Sequence, residues 1–89
     1  MTDRDQISNS EEDAATESAV LQQVLALHPS SLTLNELRRA LGAAEGGFAA
    51  TDAVERAVRD LVAAGLLHRS EAFVLPTRAA LRFDELLER

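Results

Sequence analysis

Cysteine and lysine are both absent from this chain of 89 residues, and histidine occurs only twice. Without cysteine there is no disulfide framework, no thiolate zinc site and no cysteine nucleophile. The two histidines, His28 and His68, lie far apart in sequence. A metal site needs three or four ligands, so they form no metal motif and no cofactor is expected. No apolar run approaches the ~18–20 residues of a transmembrane helix. The N-terminus is acidic, unlike a secretory signal. A soluble, cytoplasmic protein is therefore expected.

Enzymatic chemistry also lacks its usual marks. The serines show no neighbouring histidine–acid pattern. Gly46-Gly47 is not followed by the Lys-Ser or Lys-Thr of a phosphate loop. A chain of this length has little room for a deep pocket beside a core. A non-enzymatic binding domain is expected.

What is present is an ordinary globular balance, 46% hydrophobic and 27% charged. The net charge is −6, and all nine basic residues are arginine. The acidity is unevenly placed. Residues 1–18 hold six acids against Arg4, a net of −5, while residues 19–89 hold nine acids against eight arginines, a net of −1. The folded part is thus nearly neutral. It lacks the overall basic excess usual in a nucleic-acid binder, though a local basic patch is compatible with that total.

Residues 1–10 are polar, bury little, and read as a flexible acidic tail, leaving residues 11–89 as the domain. A first helix is expected from about Glu11 to Leu27, with Val20, Leu21, Val24, Leu25 and Leu27 as its apolar face. His28-Pro29 ends it, because the residue before proline avoids the helical region. Ser30–Leu32 form an extended link. Thr33 and Glu36 have capping-box spacing and start a second helix over about Leu34–Leu41, closed by Gly42. Ala43–Ala50 read as a loop that Phe48 pins to the core. Thr51 is expected to cap a third helix over about Asp52–Ala64, with Val54, Ala57, Val58, Leu61 and Val62 inward. Gly65 stops it, and Leu66 fits a Schellman end. Two short apolar runs around Ser70-Glu71 predict a β-hairpin with a two-residue turn. Thr77 caps a last helix over about Arg78–Glu88, with Ala79, Phe83, Leu86 and Leu87 inward and Leu81 off that face.

This order, carried by Leu32-Thr33-Leu34-Asn35-Glu36-Leu37 and by Ala53 through Arg69, resembles a winged-helix domain over about residues 17–89. The fold class expected is a winged helix-turn-helix, mainly α with a small β-hairpin. The loop with Gly46-Gly47 is longer than the pattern usually has. The resemblance implies a small transcriptional regulator that binds double-stranded DNA. Its third helix would enter the major groove and its hairpin would touch the backbone. Carried onto this chain, the contacts are Arg38, Arg39, Thr51, Arg56, Arg59 and Arg69. Flanking helices often pair in such regulators, which implies a homodimer through Leu21, Leu25 and Leu81; the alternative is that Leu21 and Leu25 pack in the core of a monomer.

The residues themselves leave a second reading open. On a helical wheel, Asp52, Glu55, Arg56, Arg59, Asp60 and Ala63 form the exposed face of the third helix, with a net charge of −1. Asp52–Arg56, Glu55–Arg59 and Arg56–Asp60 are i,i+4 neighbours and match the arginines within the helix. That balance also suits a winged-helix protein–protein interaction module with little DNA affinity.

Overall fold

A computed structural model describes residues 2–42 and 46–88, and the side chains of 11–42, 46–47 and 49–88. The elements run α1 (Thr2–Leu27), β1 (Leu32–Thr33), α2 (Leu34–Ala40), α3 (Gly47–Ala63), β2 (Leu67–Ser70), β3 (Phe73–Pro76) and α4 (Arg78–Leu87). The chain is mainly helical with one small antiparallel sheet, ordered β1-β3-β2.

Helix α1 begins at Thr2 rather than near Glu11. Residues 2–10 contain no proline or glycine. Extending an existing helix fixes one residue per new hydrogen bond, so nothing local stops it there. Its 26 residues rise ~1.5 Å each, about 39 Å, close to the longest extent of the molecule, 42 Å. The C-terminal half supplies the core, with Val20 and Val24 buried. Leu27, expected on the apolar face, is instead exposed.

The second helix starts as its spacing dictates. The Glu36 amide donates to Thr33 Oγ1 at 3.1 Å, and the Thr33 amide donates to Glu36 Oε1 at 3.0 Å. This reciprocal bonding satisfies two donors that a helix start leaves open. The Thr33 amide, then its hydroxyl and the Arg39 charge, hold the Glu36 carboxyl below its ordinary range.

Helix α3 starts at Gly47, so the expected loop over Ala43–Ala50 and the expected cap at Thr51 are both corrected. Thr51 is half-buried inside the helix. Gly46 occupies the cap position and makes no side-chain bond. A Cβ there would lie 2.6 Å from the Ala50 Cβ, so the bare glycine lets the chain enter the helix tightly. Residues 43–45 and the Phe48 side chain, expected to pin the loop, lie outside what is described. The far end follows the expected pattern. Gly65 has φ +85°, the Leu66 amide donates to the Leu61 carbonyl, and the Gly65 amide donates to the Val62 carbonyl. These are the two bonds of a Schellman motif, and glycine adopts that φ without a Cβ penalty.

The expected hairpin is present but is part of a three-stranded sheet. The supposed link at Leu32 pairs with β3, Leu32 opposite Val74 and Thr33 opposite Phe73. The hairpin turn is Glu71-Ala72, between the paired residues Ser70 and Phe73, rather than Ser70-Glu71. Glu71 has φ +58° and carries the left-handed conformation such tight turns need. Leu37, Val58, Leu67, Val74 and Val20 are fully buried and join the helices to the sheet. Burying one such side chain contributes ~1.5–3 kcal/mol.

Helix α4 is capped as expected, with the Ala80 amide donating to Thr77 Oγ1 at 3.2 Å. Its orientation is the reverse of the expected one. Ala80 is buried and Leu81 and Asp84 are half-buried. Phe83, Leu86 and Leu87 are 57%, 53% and 68% exposed. Anchoring sets this rotation. The Thr77 hydroxyl donates to the Gly65 carbonyl at 2.7 Å, and the Thr77 amide donates to the Leu66 carbonyl at 3.0 Å. The helix start is thereby fixed to the end of α3, and Ala80 follows inward.

Candidate functional site

The wheel of α3 fixes which residues reach solvent. Val54, Ala57, Val58 and Leu61 point into the core, and Asp52, Glu55, Arg56, Arg59, Asp60 and Ala63 are all exposed, as expected. Val62, expected inward, is 37% exposed. The exposed residues fall on two flanks with different surroundings.

One flank faces the sheet. Arg59 and Val62 of α3, Leu34 of α2 and His68 and Arg69 of β2 line an open groove, with Glu55 at its side. The Schellman end of α3 turns the chain straight into β2, which is why Arg69 and Arg59 line one groove. Among the described residues, Arg59, His68 and Arg69 make no ion pair. Glu55 does not match Arg59 as spacing suggested. It pairs with Arg38 of α2, which also donates to Asn35 Oδ1 at 2.8 Å. The Arg38 side chain is only 21% exposed, and its Nε is buried without a hydrogen-bond partner. Two guanidinium groups with no ion pair among the described residues thus share a groove with the apolar Leu34 and Val62 and with the Glu55 carboxylate, which Arg38 partly offsets.

The other flank faces α1. Arg56 lies 3.7 Å from Asp13 of α1 and 3.7 Å from Asp52. Glu17 and Asp60 line the same crease. One arginine among four acids is already matched, and an incoming anion would meet net negative charge. Of the expected helix-internal pairs, only Asp52–Arg56 forms.

The expected site residues therefore separate. Arg59 and Arg69 share the groove, and Arg38 adjoins it through Glu55. Arg56 lies across the helix, Thr51 is half-buried, and Arg39 is exposed but does not line the groove. Leu21 packs against the core, and Leu25 and Leu81 are half-buried. The roles of Glu55 as partner to Arg38, and of Asp13 and Glu17 around Arg56, were not visible in the sequence. Those contacts join separate helices, and only spacing within one helix is legible in one dimension.

Among the described residues, no helix is long and apolar enough to cross a membrane. No family model, no curated protein and no solved structure matches the chain.

Proposed function

We propose that the chain is a winged-helix type DNA-binding protein, a small transcriptional regulator, that meets duplex DNA through the α3–β2 groove. The observation that supports this reading is the convergence of Arg59 and Arg69, both without an ion pair among the described residues, at one helix–hairpin junction. In this reading Arg59 reaches a base edge or phosphate, and Arg69 and His68 meet the backbone beside it. Glu55, its charge partly offset by Arg38, offers an acceptor to a cytosine amino group. Arg56 contributes little, because its acids stay beside it.

Affinity for random duplex DNA, read by fluorescence anisotropy, tests the reading. Two or three phosphate contacts predict a log–log salt slope of about −1.8 to −2.7, hence a loss of roughly 12–40-fold between about 50 and 200 mM salt. Absence of binding at about 100 µM protein and 50 mM salt would overturn the proposal and leave the protein-interaction module as the reading to pursue.

A further inference from the structure

Helix α4 presents an apolar stripe that nothing among the described residues covers. Phe83, Leu86 and Leu87 are each more than half exposed, and Ala79, one turn before Phe83, is exposed beside them. Adjacent large apolar side chains on a small monomer mark an interaction surface.

The charges along the same helix indicate what covers it. Arg78 and Arg82 lie in its first half, and Asp84, Glu85 and Glu88 at its end. The first turn holds no acid and the last turn no base. This is opposite to what the helix dipole favours, with cations at the positive end and anions at the negative end. Within the monomer the arrangement costs stability, and the Arg82–Glu85 contact at 3.2 Å is an exposed i,i+3 pair of small value.

A second α4 running antiparallel reverses that cost. At 100° per residue, Arg78, Arg82 and Glu85 lie on one side of the Ala79–Phe83–Leu86 stripe. In an antiparallel pair, equivalent flanks face each other in opposite directions. The Arg82 of one copy then meets the Glu85 of the other, with Phe83 near the two-fold axis. The helix dipoles oppose as well. A parallel pair would set the dipoles side by side and lose this matching.

We infer that α4 is a self-association surface, on which a second copy of this chain docks antiparallel through Phe83, Leu86 and Leu87. This moves the dimer from the half-buried Leu21, Leu25 and Leu81 to a different surface. It does not depend on the DNA reading.

Sedimentation equilibrium of the full chain between about 5 and 500 µM tests it, because mass action must shift the mass with concentration. A reversible monomer–dimer equilibrium is expected. Phe83→Glu should raise the dissociation constant at least about tenfold and leave the melting temperature unchanged only at concentrations where the wild type is monomeric, since the side chain is exposed in the single copy. Arg82→Glu and Glu85→Arg should each weaken self-association alone, and an equimolar mixture of the two should form a heterodimer tighter than either homodimer. A monomer throughout the range overturns the proposal. So does a dimer indifferent to Phe83→Glu, or a mixture with no preference for the heterodimer.

Discussion

The two flanks of α3 carry one principal arginine each, and the arginines differ in everything but residue type. Arg59 opens onto a groove shared with His68 and Arg69 and has no ion-pair partner among the described residues. Arg56, one turn earlier, lies among Asp13, Glu17, Asp52 and Asp60. Counting charge on the helix alone gives a balanced face. Placing α1 and β2 around it divides that face into a cationic edge with no ion pair among the described residues and a neutralised one. Net charge per element is thus a poor guide to binding where neighbouring elements differ in sign.

The contrast can be broken most directly by removing the free arginines. Arg59→Ala with Arg69→Ala should weaken duplex binding by at least about tenfold and make the salt slope shallower by about 2, measured by anisotropy titrations at several salt concentrations. Equal loss from Arg56→Ala would dissolve the distinction between the flanks.

A second test addresses what positions the groove. Thr77→Ala removes both the α4 cap and the bond to the Gly65 carbonyl, and should cost ~1–2 kcal/mol in a urea melt. Thr77→Ser should recover most of it. Glu71→Gly relieves a left-handed non-glycine residue in the hairpin that carries Arg69. It should stabilise the fold by roughly 0.5–1 kcal/mol. Neither change should alter the Arg56 side.

The smaller effects concern charge. Arg56→Ala should change DNA affinity by less than about twofold, since Asp13, Glu17, Asp52 and Asp60 stay beside Arg56 and repel phosphate. For Glu36, the folded carboxyl titrates below its unfolded value, so its stabilisation is complete above the ordinary value of 4.5 and fades as pH falls through the lower folded value. The melting-temperature gap between the wild type and Glu36→Gln should stay level from neutral pH down to about 5 and close in more acidic solution.

Much of this fold was legible where local chemistry decides it. Thr33 with Glu36, Gly65 with Leu66, and Thr77 each mark a boundary within a few residues, and each does so in the structure. The failures share a cause. β1 is two residues long and has no periodicity of its own, so its strand character comes from Val74 and Phe73 across the sheet. The start of α3 is ambiguous from residue pattern alone, because a glycine pair suits a loop as well as a tight helix start. On α4 the larger apolar set was expected inward, whereas the anchor at Thr77 turned the smaller one in. The groove was half legible: Arg59 and Arg69 were candidates, but nothing in the spacing separated them from Arg56. That separation depends on which residue of α1 comes beside which residue of α3.

The strand order has a consequence for the behaviour of the protein in concentrated solution. β3 is central, so among the described residues β2 keeps one side without a strand partner. An unpaired strand side is a template for growth by further chains. Here that template is four residues long, and three of them, His68, Arg69 and Ser70, are exposed and polar. Shortness and a guanidinium group on the rim are both barriers to end-on sheet extension. The arginine proposed to meet DNA is thus expected to serve also as a gatekeeper against aggregation. Replacing Arg69 with an apolar β-branched residue should therefore lower solubility as well as weaken DNA binding.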